Sequence, residues 1–298
     1  MTWKVTLSCT RAEGERLGGG PDDSDFEDGA PVLVATEEAA ERWRLDAFFE
    51  ERPDRAAIDR LLALVPSAAG ARPKAERVAE QDWVTLSQAG LEPIRAGRFF
   101  VHTPAHRNAV PAGAVAIEVD AGRAFGTGHH ETTAGCLEAL DALKRQGFVA
   151  RNLVDVGTGT GLLAFAALRL WPQARGTASD IDPVSVEVTR ENAGINGIGL
   201  GGAPGRLETA VAAGLDHVRL RQRGPYDLII ANILAGPLIE LAPSLAPALV
   251  PGGRMMLAGL LQGQAERVAR AYSREGLRQT FCVERGEWPT LVLRRPRA

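Results

Sequence analysis

The first part of the chain alternates apolar and polar residues over short stretches. Near the start, apolar side chains occupy every second position, at Trp3, Val5, Leu7 and Cys9. This period of two predicts a half-buried strand. A second strand is predicted over 43–50, and Pro53-Asp54 opens a helical pattern of apolar residues at Ile58, Leu61, Leu62 and Val65. We therefore expect a small α+β unit at the N-terminus.

Loops and a linker are predicted around this unit. Residues 16–29 are rich in glycine and aspartate and predict a loop. Residues 11–17 do not predict a convincing first helix, because the segment is short and runs into three glycines. A glycine and a proline within 67–74 predict a linker. The predicted organisation is a small domain over 1–65, a linker over 66–95 and a second domain over 96–298.

The rest of the chain alternates strands and helices. Strands are predicted over 153–156, 176–181, 227–232, 281–283 and 290–293, and Gly252-Gly253 is expected to turn the chain into a further strand at Met255. Helices are predicted over 162–170, 183–196 and 264–275, and another after Pro237. Repeated strand–helix–strand units predict an α/β fold with a doubly wound, mostly parallel sheet.

Composition and charge narrow the class of protein. Hydrophobic residues make up 45% and charged residues 24% of the 298 positions, as in soluble globular proteins. No stretch approaches the ~20 apolar residues that span a bilayer, and the start lacks a secretory signal. The net charge of −3 argues against a protein that coats nucleic acid, although not against a local basic patch. Three distant cysteines fit a reducing compartment. We expect a cytoplasmic protein without a membrane partner or direct nucleic-acid binding.

The most informative segment is DVGTGTG at 155–161, which follows a predicted strand and opens a predicted helix. Glycines allow a tight turn and close approach of a ligand to the backbone, and the helix N-terminus offers free N–H groups. The dinucleotide fingerprint GxGxxG would need a third glycine at position 162, which is Leu162. The glycine instead stands at Gly161, which gives GxGxG, the spacing of S-adenosylmethionine-dependent methyltransferases.

Acidic residues follow the next predicted strand. Asp180 lies 23 residues beyond Gly157, where a carboxylate can accept both ribose hydroxyls of an adenosyl group. Asp182 is the second candidate for this role. A glycine-rich turn followed by an acidic helix cap is the purely structural alternative.

Two further segments complete a specific combination. Residues 124–133 read AFGTGHHETT and residues 232–237 read NILAGP. Together with the glycine loop and the DIDP segment at 180–183, in this order, they resemble PrmA, the bacterial methyltransferase family of the large-subunit ribosomal protein L11. The resemblance covers residues 82–298 well and the N-terminal part loosely.

The resemblance implies a fold and a reaction. It implies a Rossmann-like class I methyltransferase domain with a mostly parallel seven-stranded sheet, preceded by a ferredoxin-like domain that recognises the substrate protein. The implied reaction is N-methylation of lysine side chains, and of the N-terminal amine, of ribosomal protein L11. We expect the enzyme to be a monomer. The implied cofactor is S-adenosylmethionine.

The resemblance also implies roles for individual residues. The implied cofactor-binding residues are Phe125, Thr133, Gly157, Thr158, Gly159, Gly161, Asp180, Ile181 and Asn232. Asn232 matches the asparagine beside the transferred methyl group and is the implied catalytic residue, although at the end of a strand it could simply cap the next segment.

The chain departs from the usual family segment DPGLAFGTGTHPTT. Ala121 replaces a proline, Arg123 replaces an apolar residue, and His129 and Glu131 replace threonine and proline. The lip of the site and the substrate-docking surface are therefore open to change. Residues 129–131 do not predict a metal site, because three consecutive side chains cannot face one ion in a regular helix or strand.

Other functions stay open at this point. One is a related protein-lysine methyltransferase that acts on a different cytoplasmic protein. Others are a non-methylating nucleotide-binding protein, a dinucleotide oxidoreductase and an RNA-modifying enzyme. The GxGxG spacing and Asn232 argue against the oxidoreductase, and the acidic balance argues against RNA modification.

Overall fold

The computed structural model describes residues 2–18, 31–39, 42–49, 51–78, 93–119 and 130–297. The chain forms two compact units, Met1–Ser87 and Gln88–Ala298. Among the described helices, none combines the length and the apolar character that crossing a bilayer requires.

The smaller unit is an α+β domain with one four-stranded sheet. Its elements in chain order are β1 Thr2–Cys9, α1 Arg11–Gly18, β2 Val32–Ala39, β3 Arg42–Phe49, α2 Arg55–Leu64 and β4 Ala75–Val78. The sheet has the order β2-β3-β1-β4, and every neighbouring pair is antiparallel. This βαββαβ topology confirms the ferredoxin-like domain that the resemblance implied.

Helix α1 corrects the expectation that the small unit lacks a first helix. The helix is short, but the side chains of Thr10 and Glu13 cap its N-terminus. Glu13 accepts the Thr10 backbone N–H at 2.8 Å, and Thr10 Oγ1 accepts the Glu13 N–H at 3.3 Å. Glu13 also accepts the Ser67 N–H at 2.9 Å, which ties the helix to the segment after α2. The helix extends through Gly18 and so includes the first residues of the loop predicted over 16–29. The residues of that loop beyond Gly18 lie outside the described part.

Strand β4 lies inside the segment that was predicted to be a linker. It pairs with β1, with Ala75 opposite Val5 and Val78 opposite Thr2. Backbone hydrogen bonds of this kind complete the small sheet, which explains why a segment with exposed Glu76 and Arg77 forms a strand. The small domain thus extends past the predicted end at residue 65, to Val78 at least.

The larger unit is built on a seven-stranded sheet. Its strands are β8 Asn152–Val156, β9 Arg175–Asp180, β10 Leu207–Val211, β11 Tyr226–Asn232, β12 Leu249–Ala258, β13 Arg278–Arg285 and β14 Trp288–Arg294. The order is β10-β9-β8-β11-β12-β14-β13, with parallel pairs from β10 to β12 and antiparallel pairs at β14 and β13. This confirms the predicted doubly wound, mostly parallel fold.

Helices cover both faces of this sheet. They are α3 His130–Arg145, α4 Leu162–Leu170, α5 Pro183–Ile195, α6 Val218–Arg223, α7 Ala235–Leu245 and α8 Gln262–Arg274. Alternate strand residues feed two separate apolar cores: Leu153 belongs to the core beneath α3 and α4, and Val154 and Val156 belong to the core beneath α7 and α8. Burial on both faces explains the continuous apolar runs of the central strands.

Some details of the larger unit differ from the sequence prediction. The helix predicted after Pro237 begins two residues earlier, at Ala235, and Gly252-Gly253 lie within β12 rather than in a turn. A register shift between β11 and β12 falls beside these glycines. A further three-stranded sheet, of β5 Ile94–Ala96, β6 Phe99–His102 and β7 Val115–Glu118, was not predicted.

Candidate active site at the carboxyl ends of the central strands

The glycine loop over 157–161 joins the carboxyl end of β8 to the N-terminus of α4. Gly157 has φ +70° and Gly161 has φ +86°, which is left-handed backbone that favours glycine. A Cβ atom at Gly157 would also lie 2.2 Å from Ile233 Cγ2, and one at Gly161 would lie 2.3 Å from Phe165 Cζ. The loop therefore needs glycine for its conformation and for its close packing.

Neighbouring elements fix the loop by hydrogen bonds. The backbone N–H groups of Gly157 and Thr158 donate to the Ser179 carbonyl at 2.8 and 3.0 Å. From α5, buried Thr189 donates to the Gly159 carbonyl at 2.9 Å, and buried Asn192 donates to the Thr160 carbonyl at 3.0 Å. Hydrogen bonds with both β9 and α5 thus hold the loop in place. Gly161, the N-cap of α4, provides no side-chain cap for the first turn of that helix.

Asp180 lies at the carboxyl end of β9 and reaches the glycine loop. Its Oδ2 accepts the Gly159 N–H at 2.9 Å, and its Oδ1 accepts the Asp182 N–H at 3.1 Å. Each oxygen still has a free lone pair, because a carboxylate has about four acceptor positions. The next residue, Ile181, has 72% of its surface exposed. The acid and the loop that the sequence singled out are therefore in direct contact.

Asp182, the second candidate acid, has a different place. It is the N-cap of α5, where Oδ1 accepts the Val184 N–H at 2.9 Å and Oδ2 accepts the Ser185 N–H at 3.2 Å. The hydrogen bond from the Val184 backbone is the main cause that lowers the pKa of this carboxyl. Strand β9 ends at Asp180, so Asp182 lies outside the strand. Asp182 is occupied as a helix cap.

Asn232 is the last residue of β11 and is half-buried. The neighbouring Ile233 contacts the Gly157 backbone, so the end of β11 adjoins the glycine loop. The alternative that Asn232 caps the following helix is not observed, because the N-cap of α7 is Leu234 and no side chain caps that helix. Within the described part of the chain, no hydrogen bond occupies the Asn232 amide.

The sequence interpretation gave no role to Asp155, the last residue but one of β8. It is 1% exposed and accepts the Thr158 hydroxyl at 2.8 Å and the Ala164 N–H at 3.1 Å, both through Oδ2. Burial is the main cause that raises the pKa of this carboxyl from 3.8 to about 7, with a smaller contribution from the charge of Asp180. Its other oxygen has no partner in the described structure. An acid inside an otherwise apolar run is the sequence signal that could have identified it.

Of two other predicted site residues, Thr133 and Phe125, the structure describes only Thr133. Thr133 lies in the first turn of α3 and is 6% exposed. One turn later, burial raises the pKa of the Cys136 thiol to about 12. The charge of the nearby Asp155 carboxylate adds to this effect. The α3 face that carries Thr133 thus adjoins β8. Phe125 lies outside the described residues. So does His129, and among the described residues no cluster of three metal-ligating side chains occurs.

These features meet at the carboxyl ends of β8, β9 and β11, where ligands bind in open α/β sheets. The family model of ribosomal protein L11 methyltransferase (PrmA) matches residues 21–296. The chain belongs to the PrmA family. This confirms the family that the motifs at 124–133, 155–161, 180–183 and 232–237 indicated, and with it the methyltransferase class and an S-adenosylmethionine type of cofactor.

Individual PrmA-family relatives cover most of the chain. Proteins named ribosomal protein L11 methyltransferase are 47% identical over 234 residues in Rhizobium johnstonii, 42% identical over 278 in Agrobacterium fabrum and 39% identical over 292 in Brucella suis. The matches cover 78%, 91% and 98% of this chain and 78%, 92% and 99% of those proteins. A solved ribosomal protein L11 methylase from Lactobacillus delbrueckii is 28% identical, with a TM-score of 0.58, over 69% of this chain and 99% of that one.

Proposed function

We propose that this PrmA-family enzyme uses S-adenosylmethionine to methylate lysine side chains, and the N-terminal amine, of ribosomal protein L11. The observation that carries the proposal is the contact between the Gly157–Gly161 loop, Asp180 and the Asn232 segment at one edge of the sheet. The names of the relatives support L11 as the substrate. Because that substrate is made for the ribosome, the enzyme is expected to work in the cytoplasm. We also expect it to be a monomer.

The residues present fit an adenosyl cofactor. Asp180 keeps acceptor capacity for two ribose hydroxyls, although each oxygen already binds a backbone N–H. The exposed Ile181 side chain provides an apolar surface for a purine ring. In the glycine loop and the first turn of α4, the backbone N–H groups of Thr160, Leu162 and Leu163 have no hydrogen-bond partner among the described residues, so they remain for an anionic group such as the methionyl carboxylate.

Thr158 has a positioning role in this proposal. Its hydroxyl donates to Asp155, which also receives the Ala164 N–H, so the pair joins β8, the loop and α4. Gly159 and Gly161 keep the loop free of side chains next to the ligand. Thr133 and Phe125 stay predicted cofactor contacts, from the first turn of α3 and from the segment that precedes it.

Asn232 orients the reacting amine in this proposal. When bound, S-adenosylmethionine supplies an electrophilic methyl group on a sulfonium sulfur. A lysine amine has a pKa of ~10.4 in water and must lose its proton first, and entry into a poorly hydrated site favours the neutral amine. The Asn232 amide oxygen, which accepts no hydrogen bond from the described residues, can accept one from that amine. Correct positioning alone is worth ~7–11 kcal/mol of the activation barrier.

The proposal is tested by incubating the enzyme with S-adenosylmethionine and L11 from cells that lack the modification. Mass spectrometry of L11 peptides is expected to show added methyl groups on lysines and on the N-terminus. The Asn232→Ala variant is the matched control for contaminating activity. L11 that stays unmodified under conditions where the enzyme binds S-adenosylmethionine would contradict the substrate assignment.

A second candidate is a PrmA-family enzyme for another cytoplasmic protein. The departures at Ala121, Arg123, His129 and Glu131 favour it, because the resemblance implies that this segment forms the lip of the site. Incubation of an unmethylated cell extract with labelled S-adenosylmethionine distinguishes the two. Label in L11 supports the main proposal, and label confined to a different protein supports the second.

A further inference from the structure

A cavity of about 360 Å³, wide open to solvent, lies at the other end of the same sheet, at the amino ends of β8, β9 and β11. Its lining residues are Arg151, Asn152, Arg175, Gln222 and Arg223. The register of β8 and β9 places Asn152 beside Arg175, and the Arg175 N–H donates to the Arg151 carbonyl at 2.8 Å. None of the described residues that line the cavity is acidic. Its volume is within the range of small-ligand sites.

The arginines of this cavity are only partly neutralised. Arg223 Nη1 forms an ion pair with Glu208 at 3.0 Å and donates to the Gly202 carbonyl at 3.2 Å. Arg151 and Arg175 are exposed, and in the described part of the chain neither guanidinium has an ion-pair partner. The carboxylate of Asp227 accepts the backbone N–H groups of Arg151 and Asn152, so it reduces the local positive charge without binding a guanidinium.

A fourth arginine extends the positive charge along the edge. Arg206 directly precedes β10 and is exposed, with Nη1 donating to the Leu200 carbonyl at 3.2 Å. In the sheet order β10-β9-β8-β11, an arginine therefore stands at or before the start of each of four neighbouring strands. Such a row of cations along an edge can follow a chain of phosphates.

Two buried polar atoms among the lining residues lack hydrogen-bond partners. They are Arg223 Nη2, a donor, and Asn152 Oδ1, an acceptor. The Asn152 amide cannot simply rotate, because its Nδ2 donates to the Arg223 carbonyl at 2.6 Å and to the Pro225 carbonyl at 3.0 Å. Unpartnered buried polar atoms are costly, so a ligand that reaches both after a shift of the lining side chains would bind favourably. Such a ligand needs an anionic acceptor and a hydroxyl donor close together.

We propose that this cavity binds a phosphate group of a ribonucleotide, either free or within an RNA strand. The phosphate oxygens accept from the guanidinium groups of Arg151, Arg175 and Arg223, which match phosphate geometry. A ribose hydroxyl donates to Asn152 Oδ1. Because the cavity and the candidate active site are at opposite ends of the strands, both can be occupied at once. A net charge of −3 does not conflict with a local cationic site.

Binding is tested with uridine monophosphate and with a short single-stranded oligouridine. The full-length enzyme is saturated with S-adenosylhomocysteine, so that neither probe enters the cofactor site. Arg151→Ala/Arg175→Ala is compared with Arg267→Ala/Arg274→Ala, which removes two exposed arginines from α8. Calorimetry and fluorescence anisotropy measure affinity, and thermal melting confirms that both variants are folded.

The cavity variant is expected to weaken binding at least ~tenfold, and the α8 variant to change it less than ~twofold. For the RNA strand, loss of two phosphate contacts also lowers the salt-dependence slope by about 1.4. Binding of the monophosphate alone identifies a free nucleotide, and binding of the strand identifies RNA. Failure of both probes to bind, or equal affinities of the two double variants, would overturn the proposal.

Arg223→Lys is a second variant that tests the buried donor. It keeps the positive charge beside Glu208 but removes the planar guanidinium that carries Nη2. Weaker binding of the probe with an unchanged melting temperature supports the site. Unchanged binding would show that Arg223 Nη2 does not contact the phosphate.

Discussion

The two ends of the seven-stranded sheet present different chemistry on the same strands. At the carboxyl ends of β8 and β9, a glycine loop with left-handed backbone meets an acid, and the exposed Ile181 lies beside them. At the amino ends of the same strands, Arg151 and Arg175 stand at a cavity whose described lining is cationic or neutral. The first end is built from consecutive loop residues, and the second from single residues that strand order brings together. Substitutions at each end should therefore affect different ligands.

The largest expected effect is at Asn232. Asn232→Ala should lower kcat for methyl transfer about hundredfold, because a reacting amine that is poorly oriented costs about that much in rate. The dissociation constant of S-adenosylmethionine should change far less. Steady-state kinetics and calorimetry measure the two quantities. An unchanged kcat would show that Asn232 does not orient the amine.

Gly157→Ala should come next in size. The substitution combines an unfavourable φ of +70° with a Cβ contact of 2.2 Å to Ile233 Cγ2, and we expect a loss of roughly 2–3 kcal/mol in unfolding free energy together with weaker cofactor binding. Gly147→Ala is the matched control, because its φ is +77° and nothing lies within 4 Å of the new atom. Urea denaturation compares them. Equal losses in the two variants would contradict close packing of the loop against Ile233.

Asp155 makes the carboxyl-end region sensitive to pH. The folded pKa of this carboxyl, about 7, is above the unfolded value of 3.8, so the unfolded chain loses its proton first as pH rises. Stability is therefore lost between about pH 4 and pH 7, by roughly 2 kcal/mol between pH 5 and pH 7.

Asp155→Asn should remove this dependence, because the amide does not titrate. Its oxygen can still accept from Thr158 and Ala164. Between pH 5 and pH 7, the melting temperature of the wild type should fall more than that of the variant. Parallel changes in the two proteins would show that Asp155 is already ionised at the lower pH.

The smallest effect is expected at the exposed apolar residues. Ile181→Ser should weaken S-adenosylmethionine binding about fivefold, the loss of roughly 1 kcal/mol of apolar contact. Ile195→Ser, at the C-terminus of α5, removes a side chain that is also exposed but far along the helix from the glycine loop. Its affinity should equal that of the wild type. Similar losses in both variants would argue against a purine next to Ile181.

The difference between the two ends also explains how far sequence could predict them. The glycine loop, Asp180 and Asn232 can be predicted as neighbours from the sequence, because each lies at or directly after the end of a strand and the carboxyl ends of parallel strands meet at one edge. Arg151, Arg175, Arg206 and Arg223 are spread over more than 70 positions, and only the strand order makes them neighbours. Asp155 was missed because its burial and its unpartnered oxygen result from packing against α4.

The fold shows the same limits. Periodicity predicted β1, α2 and the central strands, since their apolar patterns are strong. It did not predict α1, which depends on capping by Thr10 and Glu13 and on the distant Ser67. It also placed β4 in a linker, because a polar strand is recognisable only from its pairing with β1.

The most direct test of the central claim is the S-adenosylmethionine affinity of Asp180→Ala, measured by calorimetry beside Asp182→Ala. Asp180→Ala should weaken binding about hundredfold, because two hydrogen bonds to a charged acceptor are lost. Asp182→Ala should keep the affinity and lose about 1 kcal/mol of stability, because it removes only the cap of α5. Unchanged affinity in Asp180→Ala, or an equal loss of affinity in both variants, would contradict a cofactor held at the carboxyl ends of β8 and β9.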